Sequence, residues 1–180
     1  MIDFIYGVQK NPLAFATLKK NLISIKDKYN GTAYFGFALS ELDNESVVAD
    51  ALIVTEEKGL LALVFSSGDE SQDEEQMDRV TVALDMLLVR NHSLRQRAKL
   101  AIKFQVKIYT TNKRSNINYV CEQDFVEIYD NLSIFPKNYF NALNESLDRI
   151  VSAKPKKLRK NVKKNIHKIP CFSINYIDTI

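Results

Sequence analysis

Between Val47 and Ser66 the chain reads VVADALIVTEEKGLLALVFS, two apolar runs joined by the charged turn Glu56–Gly59. Each run is strand-length and rich in branched aliphatic residues, so the stretch predicts a β-hairpin. Asp50 stands inside the first strand. A carboxylate among Val47, Val48, Leu52, Ile53 and Val54 costs solvation energy, so it needs a partner or a task.

The flanking text places this hairpin among helices. Asn11-Pro12 is a cap followed by a first-turn proline, Phe15, Leu18, Leu22 and Ile25 recur at helical spacing, and Asn30-Gly31 ends the helix. TAYFGFALS (32–40) alternates Ala33, Phe35, Phe37 and Leu39 on one face, which predicts a strand. SSGDESQDEE (66–75) predicts a solvated acidic loop leading into a helix over 76–91 with Met77, Val80, Leu84 and Leu87 inward. AIKFQVKIYT (101–110) alternates strictly, with Lys103, Gln105, Lys107 and Tyr109 on its outer face. A short strand near 118–122 follows, and Pro136 opens a last helix with the stripe Phe140, Leu143, Leu147 and Ile150. The order αβββαββα is an α/β (α+β) pattern: a mixed sheet of about four to five strands with helices packed on it.

An apolar fraction of 46% with few Gly and Pro describes a globular chain. No window approaches the ~18 apolar residues of a membrane span, and the N-terminus lacks a signal-peptide layout. Cys121 and Cys171 lie far apart, as in a reduced protein, and the expected location is the cytoplasm. The net charge of +3 hides an asymmetry. The stretch SAKPKKLRKNVKKNIHK (152–168) holds seven Lys and one Arg with no acid, which leaves residues 1–151 with 17 basic and 21 acidic side chains, a net −4. Residues 1–151 are therefore expected to form one α/β domain, and 152–180 a basic tail or linker with an apolar end.

The stretch MDRVTVALDMLLVRNHSLRQRAKLAIKFQVKIYTTN (77–112) resembles the nuclease-related, NERD-like N-terminal regions of superfamily I, UvrD-like helicase proteins. The matching positions are His92, Leu94, Arg95, Arg97, Lys99 and Leu100. VVADALIVTEEKGLLALVF is similar to the Asp-bearing hairpin of that group, and the Lys-Pro-Lys-Lys tail to its connector to the helicase motor. The resemblance covers roughly residues 11–160 and implies a restriction-endonuclease-like core. It also implies nucleic acid, a helicase motor domain or another protein as partner, and no membrane. The motor's GxxxxGK[ST] loop does not occur, so this chain alone is not expected to hydrolyse ATP.

Such nucleases hold Mg²⁺ or Mn²⁺ between an Asp on one strand and Glu-x-Lys on the next. Asp50 fits the first place, but the second strand offers Val64-Phe65-Ser66. With the turn centred at Glu57–Lys58, Asp50 lies opposite Phe65; a one-residue slip brings Val64 and Ser66 there instead. Neither register supplies a carboxylate or an amine, so the expected catalytic set is none, with Asp50 as its remnant, and no cofactor. Asp50 as a satisfied buried carboxylate is the plain alternative. An active site rearranged around Glu45, Asp69 or Glu70 would need Mg²⁺ or Mn²⁺.

Cations supply the binding candidates. Arg95, Arg97, Lys99, Lys103 and Lys107 gather between the second long helix and the strand after it, and Lys156, Lys157, Arg159 and Lys160 lie in the tail. Such groups can hold a phosphate backbone without reading bases. They also fit a solvated linker and a lysine-protected edge strand. The expected function is a catalytically degenerate, nuclease-fold accessory domain that binds nucleic acid or a partner. The alternatives are an active metal-dependent nuclease and a protein-interaction module.

Overall fold

The computed structural model describes residues 1–42 and 45–152; the tail cations Lys156, Lys157, Arg159 and Lys160 lie outside the described residues. The chain begins with strand β1 (Ile2–Tyr6), helix α1 (Pro12–Ile25) and the meander β2 (Gly31–Leu42), β3 (Glu45–Thr55) and β4 (Gly59–Phe65). Helix α2 (Glu70–Leu88) and a two-residue hairpin, β5 (Arg95–Gln96) and β6 (Lys99–Leu100), come next. Strands β7 (Gln105–Thr110) and β8 (Tyr119–Cys121), helix α3 (Phe125–Asp130) and helix α4 (140–152) complete the described chain.

Local chemistry sets the helix starts. Asn11 accepts the Ala14 N–H at 3.1 Å and Pro12 occupies the first helical turn, as the sequence predicts. Asp69 caps α2 by accepting the N–H groups of Ser71 and Gln72. That cap starts α2 at Glu70, so most of the expected acidic loop is its first turns.

The sheet has six strands in the order β1-β2-β3-β4-β7-β8, rather than four or five. Pairs β1/β2, β4/β7 and β7/β8 are parallel, and β2/β3 and β3/β4 antiparallel. Helices cover both faces. One core joins Val80, Leu84 and Leu88 of α2 to Leu143, Leu147 and Ile150 of α4 across the sheet. The other joins Leu18 and Leu22 of α1 to Phe125 and Tyr129 of α3. Buried on both sides, β4 is apolar throughout, the pattern of an interior strand. Strand β7 starts at Gln105 rather than at 101 and lies inside the sheet, so Lys107 does not guard an edge and Lys103 precedes the strand. No helix of the described residues is long and apolar enough to cross a membrane.

Both β2 and β3 change face partway along. Ala33 and Phe35 belong to the α1 core, whereas Phe37 and Leu39 pack into the α2 core, so the single face expected from the alternation is broken at Gly36. Across from it, Val47 and Ala49 share the α2 core with Leu52 and Val54, which places the slip in β3 at Asp50. The two breaks face each other, between the pairs Phe35–Ala51 and Phe37–Ala49. Gly36 has φ +69°, and a Cβ there would lie 1.9 Å from the Val8 carbonyl oxygen. Only glycine fits that backbone.

Candidate functional site

Strands β1, β4 and β7 are mutually aligned through the sheet, so the segments leaving them gather at one end. Open α/β sheets place their ligand crevices at the carboxyl ends of such strands. Here that end carries a cleft of about 690 Å³, lined by Lys10 before α1, Asp50 of β3, Ser66 and Ser67 after β4, and Gln76 and Arg79 of α2.

The β3/β4 register runs from Thr55–Gly59 to Ala51–Leu63, which brings Asp50 level with Val64, one residue from the centred-turn expectation of Phe65. The slip at Asp50 removes the next ladder partner of β4. The carboxylate takes its place, and Asp50 Oδ2 accepts the Phe65 N–H at 2.7 Å. Burial pushes the Asp50 carboxyl up from its ordinary pKa, while the Phe65 N–H and the charge of Lys10 hold it back.

Asp73 behaves in the opposite way. Although only 1% exposed, it accepts Ser66 Oγ at 2.5 Å, Ser67 N at 2.7 Å, Ser67 Oγ at 2.8 Å and Tyr119 Oη at 3.2 Å. Burial works to raise its pKa, but these donors outweigh it and hold the carboxyl below its ordinary value. It ties the start of α2 to the end of β4 and to β8. The sequence reading of 66–75 as a solvated lead-in missed this residue; the signal was Ser66-Ser67 followed by an Asp one turn past the Asp69 cap.

A hard divalent cation needs several unengaged oxygen ligands. One oxygen of Asp50 serves Phe65, and both oxygens of Asp73 already hold donors. Asp69 caps α2, and Glu70 accepts Asn116 Nδ2 at 3.1 Å. In the turn, Lys58 Nζ donates to the carbonyls of Asp130 and Leu132. Among the described residues no three His, Cys, Asp or Glu side chains gather into a metal-holding group. Glu75, the remaining acid lining the cleft, pairs with Arg79 at 3.4 Å, so the described donor set does not fit Mg²⁺ or Mn²⁺.

The expected basic patch is brought together in part. Lys99 and Lys103 line one groove of about 530 Å³ beside α2, and exposed Arg97 stands in the β5–β6 hairpin turn with φ +60°. Arg95 turns onto the His92 ring. Lys107 donates to the Ile117 carbonyl at 2.9 Å on the loop before β8. The outer face expected at 103–109 fails at Tyr109, which is fully buried with its hydroxyl on Thr17. No protein-family model, curated protein or solved structure matches the chain.

Proposed function

We propose that this chain carries a restriction-endonuclease-like core that has lost its catalytic set and works by binding, as an accessory domain of a helicase-like protein in DNA or RNA metabolism. The observation that carries this reading is the connectivity. Helix α1, the antiparallel meander β2–β3–β4 and crossover helix α2 lead to β7, which is parallel to β4. On this reading Asp50 is the remnant of the first catalytic carboxylate, and Val64-Phe65-Ser66 on the neighbouring strand stand in place of Glu-x-Lys. The saturated hydrogen bonding of Asp73 argues against its recruitment as a replacement ligand. Contact with nucleic acid is assigned first to the uncompensated cations of 152–168, including Lys156, Lys157, Arg159 and Lys160, and second to Arg97, Lys99 and Lys103.

Purified protein tested with labelled single- and double-stranded DNA and RNA, with and without Mg²⁺ or Mn²⁺, decides the reading. The expected result is salt-sensitive binding without metal-dependent cleavage. Cleavage that needs the metal and vanishes in Asp50→Asn would overturn the loss of catalysis. Absence of binding at low salt would remove nucleic acid as the ligand.

A further inference from the structure

We infer that the C-terminal half of α2 and the groove beside it form a docking site for an acidic amphipathic helix of a partner protein. Helix α2 buries Val80, Ala83, Leu84 and Leu88, yet it also turns Val82 and Met86 to solvent, 52% and 49% exposed. Val89, half-buried, continues this second stripe at i, i+4, i+7. The stripe adjoins the 530 Å³ groove, whose walls are Val89, Leu100, Ile102 and Phe104. A second groove, of about 410 Å³, shares Ile102, Lys103 and Phe104 and leads to Ile134, which is 86% exposed. A lane of apolar side chains of this kind marks an interaction surface.

Charge selects the occupant. Arg90, Arg97, Lys99 and Lys103 are exposed around the lane, and none forms an ion pair with another described residue. Asp85 is the one acid lining the 530 Å³ groove. The rest of residues 1–151 is net acidic, so this positive rim runs against the trend of the domain. Val82 to Val89 spans about 10 Å along the helix axis, the length of two turns of a partner helix. A helix with one apolar stripe flanked by Glu or Asp meets both the lane and its rim. Single-stranded nucleic acid fits less well, since Val82, Met86 and Val89 offer no ring for a base to stack on and Phe104 is the one aromatic lining the 530 Å³ groove.

This inference adds a protein ligand to the proposed nucleic-acid one and shares only the rim cations with it. The probe is a fluorescent stapled helix of about four turns, with Leu at i, i+3, i+4 and i+7 and Glu on the flanks. A Lys-flanked version and an oligothymidylate serve as comparisons, and anisotropy with the full chain is the readout. The Glu helix should bind, the Lys helix at least about tenfold more weakly. Met86→Asp, Val82→Asp, and Lys99→Glu with Lys103→Glu should each weaken the Glu helix by about tenfold with the melting curve unchanged. Equal binding of both helices, no binding of the Glu helix, or indifference to both α2 substitutions would overturn the inference. Oligothymidylate binding through Lys99 and Lys103 without helix binding would give the groove to nucleic acid and likewise overturn it. Cleavage does not enter this readout, so loss of the nuclease-fold reading and loss of the docking site are seen separately.

Discussion

Replacing Asp73 by alanine should cost this protein about 2–4 kcal/mol of stability. The carboxylate holds four donors, but they do not count equally. Ser66 and Ser67 lie in a partly exposed loop, and their hydroxyls can turn to water once the acid is gone. The Ser67 N–H bond is charge-assisted, and the Tyr119 hydroxyl is buried on a residue 6% exposed. Each bond to a charged acceptor is worth about 1.5–3 kcal/mol. Relief from burying the charge offsets part of that total. At this chain length the deficit corresponds to a fall in melting temperature of about 5–15 °C. Asp73→Asn keeps an acceptor for Ser67 N and lets the hydroxyls rotate, so it should lose about half as much. Urea denaturation at fixed pH measures both. The folded carboxyl releases its proton more readily than the unfolded one. Its contribution is therefore complete above about pH 4 and fades as pH falls from there through the folded pKa. The gap between wild type and Asp73→Ala should close over that window. A loss below about 0.5 kcal/mol at pH 7, the range of ordinary surface substitutions, would refute the reasoning.

Asp50→Asn should leave stability at pH 7 equal or higher, because the amide oxygen can still accept the Phe65 N–H without a buried charge. Burial raises this carboxyl, so the penalty on the wild type accrues as pH climbs above about 4, and the two melting curves should coincide below it. Gly36→Ala should cost at least about 2 kcal/mol, from the left-handed backbone and the Val8 carbonyl; hydrogen exchange at the Val8 amide, bonded to Gly36 O at 3.1 Å, would report the loosening. Deleting residues 152–180 should weaken nucleic-acid binding more than replacing Arg97, Lys99 and Lys103 with alanine, and should flatten its salt dependence further. Equal affinity of the truncated and intact chains at two salt concentrations would assign the tail a linker role.

The elements that could be read from the sequence are those whose signals are local. The hairpin around Glu56–Gly59, the stripe Leu18-Leu22-Ile25 and the stripe Leu143-Leu147-Ile150 each state their periodicity within a few turns, and all three occur, the hairpin one residue from the centred-turn register. Strand β1 did not show. Five residues carry little pattern, and its partner β2 lies across α1, so no turn announces the pairing. Helix α3 has six residues, fewer than two turns, too short for a helical period to emerge. The burial of Asp73 depends on Tyr119, 46 residues away, while its sequence neighbours are acids that suggest water. Basic residues close in sequence also diverge in space: Lys103 lies in the groove beside α2, and Lys107 is tied to the loop before β8.

The break at Gly36 and Asp50 shows why the question raised by a lone acid in a strand could not be answered from alternation alone. Phe35-Gly36-Phe37 reads as an unbroken period of two, yet the approach of Val8 forces Gly36 to positive φ and turns the next residues over. β3 turns over opposite it, and the β4 ladder then lacks an acceptor for Phe65. A carboxylate at position 50 repairs that fault from its own side chain. Asp50 thus has sufficient structural reason to be there without any metal, and its presence adds little to the case for a nuclease ancestry. The weight of that proposal rests on the connectivity of α1, the meander, α2 and β7, and on a cleft kept open beside Asp50 at the carboxyl end of the parallel strands. A hydrogen-bonding role tolerates Asn at position 50, whereas a metal-binding role does not. The same substitution therefore separates the two reasons for the residue, one by melting and the other by cleavage.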